Sequence, residues 1–501
     1  FITLEANGQT LDIPIRLEVW DFELSDNSHT QTAFAIWNDQ VAQYHGVAPN
    51  TPEYWELLDN YYWMQTEYRL PPDDLPIPTD DVDQYIAMAG HYLDDPRVNS
   101  FRIPYYPDDP DKTKELVDKL RDNGWLSKGY FYIIDEPSVA MYPAVKQYAQ
   151  LLRQIAPDVK FLLTKQPVPE LYEDIDYWVS PIGDYDRSIA ASREANGEHF
   201  WWYTMVHPTY PFVSYHIDDT LIGARLLSWM QKENKVEGNL YWSTTIFRKL
   251  NSTGYVERDV WNDPLAFPGA NGDGFLLYPG KDLGLNGPIP SLRLETIRDG
   301  MEDYEYLWFL EERMKAAATK LGLNDYDVDA AMKLYYERLY KKINDYNENP
   351  GALAKVRREV AAQIEALAKD PVMLYTVAET GETTRELTIY TEPGVSLQAN
   401  GVPLQPQQQN ALHDVYLYPF DASQSLNEVQ LVSVKGLDVN TWSVVLAGKS
   451  VDEGDTGFVV PLNDVESQIE LERWTNSNVT ATLSNEHAIN GNYSMKADFH
   501  P

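Results

Sequence analysis

Two acidic residues stand side by side in the segment YFYIIDEPSVAMYP, which covers residues 130–143. Five apolar or aromatic residues precede Asp135 and Glu136, and Pro137 follows them. Neighbouring carboxylates repel each other, so their adjacency needs a reason. The reason could be structural, because Asp135 can cap a following helix while Pro137 and Glu136 suit its first turn. It could equally be catalytic, and the segment alone leaves the two interpretations balanced.

The catalytic interpretation fits one kind of sugar chemistry. In most glycosidases two separate carboxylates flank the scissile bond, about 5 Å apart for retention and farther apart for inversion. Substrate-assisted hexosaminidases instead use the 2-acetamido oxygen of the sugar as the nucleophile. One carboxyl group then protonates the leaving oxygen, and a second orients the acetamide N–H. Because these groups act on adjacent atoms of one ring, Asp135 and Glu136 are suitably placed for them.

Other motifs give weaker indications. His199, His207 and His216 lie in one region, but HExxH and HxH spacings do not occur, which disfavours a metal site. The Gly-rich NGDGFLLYPG lacks a following Lys-Ser/Thr and predicts a loop that enters a strand. No GxSxG nucleophile elbow occurs, and neither GxGxxG nor Walker A follows a predicted strand. We therefore expect no metal and no organic cofactor.

Short apolar strands alternate with amphipathic helices between about residues 30 and 290. The predicted strands are TAFAIW, NSFRIPYY, YFYIID, KFLLT, DYWVSPI, HFWWYTM, NLYWSTT and GFLLYPG. The predicted helices cover 52–67, 80–93, 111–123, 142–156, 185–195 and 217–233. Strands that are apolar on both faces and alternate with helices indicate a covered parallel sheet, and about eight of them favour a (β/α)8 barrel. YIIDEP then places the acidic pair at the carboxyl end of a barrel strand, where catalytic groups gather.

The flanking regions predict β structure, so the chain as a whole is expected to be a multidomain α/β and β protein. Residues 1–28 alternate apolar and polar residues around an Asn-Gly turn, which predicts the end of a truncated N-terminal β-sandwich. The barrel with its C-terminal helices is expected over 29–372, and those helices lie in SLRLETIRDGMEDYEYLWFLEERM, DVDAAMKLYYERLYKKINDY and GALAKVRREVAAQIEALAK. A β-sandwich is predicted over 373–462. Residues 463–501 predict the start of a further, truncated β-module, with carbohydrate binding as a candidate role.

The amino-acid composition limits the classes of partner and of site that the protein can have. Acids outnumber bases by 77 to 40, for a formal charge of -37, which disfavours nucleic acid and anionic lipid but not a neutral sugar. The chain has no cysteine, which excludes thiolate catalysis and Cys-ligated zinc. No apolar run approaches the ~18 residues of a membrane span. The 34 Tyr and 14 Trp fit large cores or sugar-stacking surfaces, with cores the more common explanation. No signal peptide is visible, and the start at Phe1 suggests a processed or excised piece.

Several stretches, taken together and in order, resemble the family 123 glycoside hydrolases and an allied, largely uncharacterised family that shares their catalytic barrel. The stretches are IPIRLEVWDFEL, YFYIIDEP, APDVKFLLT, FWWYTMVHPTYPF, ARLLSWM, VEGNLYWSTT, DGFLLYPG and PSLRLETIRDGMEDYEYL. They cover roughly residues 10–312. The combination is specific, whereas DEP alone would be a weak signal.

The resemblance implies retaining β-N-acetylgalactosaminidase activity through acetamido-assisted catalysis. By similarity, Asp135 polarises the acetamide, while Glu136 acts as general acid and then as general base toward water. The expected substrate is a glycan or glycoconjugate, and the expected location is extracellular or at a bacterial cell surface. Two alternatives stay open. One is a conventional double displacement on a sugar without an acetamide, and the other is a glycan-binding surface protein without catalysis.

The resemblance also indicates substrate-binding candidates at the barrel mouth. Tyr203 is expected to hydrogen-bond the acetamide, and Trp242 to form a pocket wall. Trp202 is a further candidate, although neighbours on a strand point in opposite directions. Arg293 and Glu295 could hold sugar hydroxyls, with an ordinary role at a helix start as the competing interpretation.

Overall fold

The computed structural model describes residues 2–6, 9–15, 17–381, 384–424 and 426–447, together with two strands at 479–484 and 494–499. The chain divides into two compact units, Phe1–Ser450 and Val451–Pro501. Most of the second unit lies outside the described residues, as does much of the β-module predicted for 463–501.

The helices follow the sequence prediction closely. In chain order they are α1 (Asn38–His45), α2 (Pro52–Glu67), α3 (Val82–Leu93), α4 (Pro110–Asp122), α5 (Tyr142–Ile155), α6 (Arg187–Glu194), α7 (Leu221–Glu233), α8 (Leu292–Lys320), α9 (Val328–Tyr336) and α10 (Pro350–Leu367). Capping side chains mark the starts of most of them. Thr51 caps α2 by accepting a hydrogen bond from the Tyr54 N–H, and Pro52 occupies the first turn. The prediction contained no helix at α1.

The first unit contains most of the strands. They are β1 (Ile2–Ala6), β2 (Gln9–Ile13), β3 (Gln31–Phe34), β4 (Phe101–Arg102), β5 (Gly129–Tyr130), β6 (Leu162–Leu163), β7 (Tyr177–Pro181), β8 (His199–Tyr203), β9 (Gly238–Tyr241), β10 (Lys249–Asn251), β11 (Gly254–Val256), β12 (Leu277–Pro279), β13 (Pro288–Pro290), β14 (Tyr340–Lys342), β15 (Asp345–Tyr346), β16 (Met373–Glu379), β17 (Thr384–Thr391), β18 (Ser396–Ala399), β19 (Val402–Pro403), β20 (Gln408–Gln409), β21 (Asp414–Asp421), β22 (Leu426–Lys435) and β23 (Asp438–Ala447). The second unit contributes β24 (Val479–Ser484) and β25 (Ser494–Phe499), which pair antiparallel.

A parallel sheet organises the middle of the chain. Five strands lie in the order β3-β9-β8-β7-β6, and β4 pairs in parallel with β5. A parallel bridge between Phe131 and Phe161 joins β5 to β6. An irregular segment lies between the outer strands, since the Thr32 hydroxyl donates to the Pro71 carbonyl and the Arg102 N–H to the Asp73 carbonyl. The predicted mixed α/β fold with a parallel sheet is confirmed, and its full closure as a (β/α)8 barrel stays a prediction.

The last predicted strand of that set, GFLLYPG, has a different partner. Its residues 277–279 form β12, which pairs antiparallel with β13 rather than in parallel with a neighbour of the sheet. The Phe275 backbone likewise forms an antiparallel bridge with Thr245. The prediction was wrong here because an apolar run bounded by glycines fits a hairpin as well as a buried parallel strand.

One face of the parallel sheet encloses a small aromatic cluster. Tyr130, Tyr177, Trp201 and Tyr203 belong to it, each with less than 9% of its surface exposed. These side chains come from alternate strand positions, as the period of two requires. Gly238 makes room for them, because a Cβ atom there would lie 2.3 Å from the Trp201 ring.

The C-terminal part of the first unit is antiparallel. Its sheets have the orders β16-β17-β21-β20 and β19-β18-β22-β23. The two sheets face each other, since the rings of Tyr375 and Trp442 stand 6.4 Å apart in a T-shaped contact. Residues 448–462 of the predicted sandwich lie outside the described residues.

Two regions outside these sheets complete the fold. At the N-terminus β1 and β2 pair antiparallel, in line with the alternating pattern of this segment. The helix predicted over 327–346 ends at Tyr336, and β14 and β15 form a hairpin after it. Among the described residues, no helix is long and apolar enough to cross a membrane.

Candidate active site

Asp135 and Glu136 lie just beyond β5, at the carboxyl edge of the parallel sheet, and both are exposed. Neither caps a helix. The next element is a 3-10 helix at Val139–Met141 that starts after Ser138, and α5 follows without a side-chain cap. The structure therefore does not support the helix-cap interpretation of the pair.

Hydroxyl groups hold the Asp135 carboxylate in place. Tyr132 donates to Oδ1 over 2.6 Å, and Thr164 from the end of β6 donates to the same oxygen over 2.7 Å. Within the described residues, Oδ2 makes no hydrogen bond to protein. One oxygen of Asp135 is thus committed to the protein, while the other stays available to a ligand.

Glu136 is fixed at both its backbone and its side chain. Its N–H donates to the Thr164 hydroxyl over 2.8 Å, and Tyr203 at the end of β8 donates to its Oε1. Its φ of 40° lies in the left-handed region, which costs a non-glycine residue about 1–2 kcal/mol. These contacts stabilise a backbone turn that directs the two neighbouring carboxylates to different partners.

The two phenols that contact the pair remain proton donors. Burial is the main effect that raises the pKa of Tyr203 above its usual range, and the hydrogen bond and negative charge of Glu136 raise it further. Burial and then the charge of Asp135 raise the pKa of Tyr132 in the same way. Both hydroxyls therefore keep their protons at neutral pH and can donate to the carboxylates.

A cavity of about 450 Å³ opens beside Glu136. Its polar lining includes Lys165, Gln166, Asp184 and His207. The lining is completed by Thr164, Pro181, Gly183, Tyr203, Met205 and Pro208. The Gln166 carbonyl oxygen accepts a hydrogen bond from Ser180 over 2.7 Å, so its NH₂ group is free to donate elsewhere. The cavity borders Glu136 and not Asp135, which gives the two acids different surroundings.

Trp242 follows β9 at the same edge of the sheet and is half-buried. Its ring N–H donates to Asp273 over 3.2 Å, and its ring makes T-shaped contacts with Trp37 and Phe267. Burial raises the pKa of Asp273, and the hydrogen bond from Trp242 opposes that shift. The structure places Trp242 on this edge but outside the lining of the cavity beside Glu136.

Trp202 occupies the opposite face of β8 from Tyr203. It is fully buried and packs edge-to-face on Tyr185. A side chain with no exposed surface cannot contact a sugar in this structure. Its sequence signal was the aromatic run itself, in which only alternate residues face the same side.

Arg293 and Glu295 lie in the first turn of α8, behind the Ser291 N-cap. Arg293 is buried and donates to the carbonyls of Tyr215, Gly272 and Phe275. Burial lowers the pKa of its guanidinium group from the usual value. These bonds fix the loops around it and use the groups that would bind sugar hydroxyls.

Glu295 is likewise committed to protein partners. Its Oε1 accepts from the Tyr68 hydroxyl over 2.5 Å, and its Oε2 pairs with Arg298 at 2.7 Å. The structure therefore brings Tyr203 to the acidic pair and holds Arg293 and Glu295 in structural roles.

Tyr132 and Thr164 are site residues that sequence reasoning missed. Both lay inside predicted strands, YFYIID and KFLLT, near the carboxyl ends. A signal was present. Tyr132 lies two positions after Tyr130 and so faces the same side of the strand, and Thr164 stands at the end of its own strand. The pairing of β5 with β6 was needed to bring them together.

His199, His207 and His216 do not converge on one site. His199 pairs with Glu237 at 2.7 Å and His216 with Asp219 at 3.5 Å, while His207 lines the cavity. Within the part of the chain that the structure describes, no three His, Cys, Asp or Glu side chains cluster closely enough to hold a metal ion.

Comparison with known proteins bears on this site. Residues 111–310 match the family model for the catalytic domain of glycoside hydrolase 123. This match includes the acidic pair and confirms the resemblance of the sequence motifs. A search of curated protein sequences finds no match to the chain.

Solved structures give low similarity. A family 123 glycoside hydrolase from Clostridium perfringens, analysed for glycolipid glycan hydrolysis, is 15% identical, with 69% of this chain and 70% of that chain covered and a TM-score of 0.47. An FMN-binding β-glucuronidase from Facaelibacterium prausnitzii L2-6 is 10% identical over 73% of this chain and 53% of its own, with a TM-score of 0.23. A β-glucuronidase from Bacteroides uniformis is 9% identical over 85% and 47%, with a TM-score of 0.29.

Proposed function

We propose that the protein releases β-linked N-acetylhexosamine with retention of configuration, supported by the match of residues 111–310 to the catalytic-domain model of glycoside hydrolase 123. N-Acetylgalactosamine is the proposed sugar, and its own 2-acetamido group is the proposed nucleophile. The observation that carries this proposal is the separate anchoring of two adjacent carboxylates, Asp135 by Tyr132 and Thr164, and Glu136 by Tyr203.

In the first step, the acetamide oxygen attacks the anomeric carbon while the glycosidic C–O bond breaks. Asp135 Oδ2, which is free of protein hydrogen bonds among the described residues, accepts the acetamide N–H and stabilises the positive charge that develops there. Its other oxygen is held by two hydroxyls, so the carboxylate does not rotate away. The product of this step is a bicyclic oxazolinium-type intermediate.

Glu136 supplies the proton that the leaving oxygen needs. Tyr203 occupies its Oε1, which leaves Oε2 to carry and deliver the proton. In the second step Glu136 takes a proton from water, the water oxygen bonds to the anomeric carbon, and the oxazoline ring opens. Two inversions at that carbon give net retention.

The cavity beside Glu136 is the proposed binding site of the leaving group. It borders the general acid but not Asp135, as a leaving-group site should. Lys165, Gln166 and Asp184 give it polar groups that suit a hydroxyl-rich unit. The expected leaving group is therefore another sugar of a glycan or glycoconjugate.

The test is hydrolysis of chromogenic β-N-acetylgalactosaminide, β-N-acetylglucosaminide and β-galactoside by the wild-type protein. The acetamido sugars should be hydrolysed and the plain galactoside should not. Comparable turnover of the galactoside would instead support conventional double displacement. No turnover of any substrate, with glycan binding intact, would support a binding protein.

The wider organisation is part of the same proposal. The parallel strands would close as a barrel with the segment at 71–75 in the eighth position, supported by its hydrogen bonds to Thr32 and Arg102. The catalytic region would extend over 29–372, between the β regions 1–28 and 373–462. Action outside the cell or at its surface follows from a glycoconjugate substrate, and fractionation of the source cells would test it.

A further inference from the structure

Thr164 contacts both acidic residues through a single atom. Its Oγ1 donates to Asp135 Oδ1 over 2.7 Å and accepts the Glu136 N–H over 2.8 Å. Tyr132 adds a longer contact to the same hydroxyl, at 3.4 Å. The Thr164 hydroxyl thus donates its one proton to Asp135 and accepts the Glu136 N–H, while the Tyr132 phenol spends its own proton on Asp135.

The surroundings of Thr164 restrict how it can move. It is 2% exposed and stands at the end of β6, on the strand next to the acidic pair. A β-branched side chain has few χ1 rotamers, which limits the directions its hydroxyl can take. The hydroxyl is therefore a rigid reference point supplied by a neighbouring strand.

We propose that Thr164 is the positioning residue that sets the geometry of Asp135 and Glu136 relative to each other. Through Asp135 it determines where the acetamide N–H is accepted. Through the Glu136 N–H it holds the left-handed turn that separates the two carboxylates. This inference rests on the proposed hydrolase function and assigns a role to a residue that does not itself touch the reacting atoms.

Two substitutions at this position separate the hydroxyl from the shape of the side chain. Thr164→Val keeps the branched shape and removes all three contacts, whereas Thr164→Ser keeps the hydroxyl. The Val variant should lose about 10- to 100-fold in kcat, as expected for a misplaced catalytic group, with little change in KM. The Ser variant should stay within about threefold of wild type by the same principle. Thr32→Val is the matched control, because Thr32 is also buried and its hydroxyl bonds only the Pro71 carbonyl.

The measurements are kcat and KM on an aryl β-N-acetylgalactosaminide, with Tm recorded for each variant. A second arm repeats Thr164→Val in the Asp135→Ala background, where the Thr164–Asp135 hydrogen bond is already gone and only the part of the loss that acts through the Glu136 N–H should remain. Equal kcat in the wild type and the Val variant, or equal losses for Val and Ser, would overturn the role of Thr164 and leave the proposed function standing. A wild-type protein inactive on every glycoside would overturn the proposed function, and the inference would fail with it.

Discussion

Tyr203 donates a hydrogen bond to Glu136 Oε1 although the two residues are 67 positions apart in the chain. The first comes from the end of β8 and the second follows β5, so the sheet brings them together. In the proposed mechanism, this contact leaves Oε2 of Glu136 for proton transfer. It also commits the Tyr203 hydroxyl to the proposed acid instead of to the acetamide.

Tyr203→Phe tests that relationship. Without the hydroxyl, the Glu136 side chain is free to rotate, and kcat should fall about tenfold, within the range of a lost catalytic positioning contact. Steady-state kinetics on an aryl β-N-acetylgalactosaminide measure it. Tyr177→Phe is the matched control, because Tyr177 lies in the same buried aromatic cluster and stacks on His199, away from the acidic pair. Equal losses in both variants would show that general packing of the cluster is responsible.

Glu136→Gln should remove proton transfer and leave the acetamide contact intact. For a poor leaving group, kcat/KM should fall about 10²- to 10⁴-fold, the usual contribution of general acid catalysis. An activated aryl leaving group needs little protonation, so its loss should be much smaller. A series of aryl glycosides of graded leaving-group pKa measures the effect. A uniform loss across the series would contradict the role of Glu136 as the acid.

Asp135→Asn should differ from Glu136→Gln in showing no dependence on the leaving group. It removes the charge that stabilises the acetamide, so the rate of forming the intermediate should fall about 10²- to 10³-fold whatever the leaving group. A thiazoline, which mimics the oxazoline ring, should also bind more weakly to this variant. Unchanged thiazoline affinity in an inactive Asp135→Asn protein would argue that Asp135 does not contact the acetamide.

Gly238→Ala should destabilise the sheet. The added Cβ would lie 2.3 Å from the buried Trp201 ring, and overpacking of this kind costs about 1–3 kcal/mol in the free energy of unfolding. Urea unfolding followed by Trp fluorescence measures it. Gly287→Ala is the control, because a Cβ there meets Asn60 at an ordinary 3.4 Å. A stability loss of the same size at both positions would mean that Trp201 is not the cause.

Asp73→Asn should change the pH dependence of stability. Burial raises the pKa of Asp73 from 3.8 to about 6, so between those values the folded protein binds a proton that the unfolded chain does not. The contribution of this carboxyl is therefore greatest below the unfolded pKa and is lost as the pH rises through 6. The Tm of Asp73→Asn relative to wild type should increase from pH 4 to pH 7. The exposed Asp122→Asn controls for the loss of one negative charge, and a flat Tm difference for Asp73→Asn would contradict the shift.

Sequence patterns were sufficient to place the acidic pair at a strand end, because apolar runs mark strands and Pro137 marks where this one stops. They also showed that Trp202 and Tyr203 face opposite ways. They did not show whether Trp202 or Tyr203 faces the ligand. Alternation separates the two faces of a strand, but when both faces are covered it does not tell which one lies toward the site. That choice depends on the helices that pack outside the sheet.

The contacts of Thr164 and Arg293 were beyond sequence reasoning for a different reason. Thr164 reaches the acidic pair only through the pairing of neighbouring strands, since it lies 28 positions from Glu136 in the chain. Arg293 is buried by loops at 215 and 272, and these loops have no periodic pattern. Its burial could therefore not be predicted, and it was interpreted as a sugar-binding candidate. Register and loop paths are tertiary properties, which local propensity does not encode.

The three carbonyls that Arg293 binds have a consequence for the order of events during synthesis. They belong to segments made well before α8, at Tyr215, Gly272 and Phe275. Domains fold as units while the chain is still emerging from the ribosome, and here the loops next to the sheet lack their anchor until residue 293 has left the exit tunnel. A nascent chain stalled before Arg293 has emerged should have protease-sensitive loops, and one stalled so far downstream that all of α8 has emerged should not.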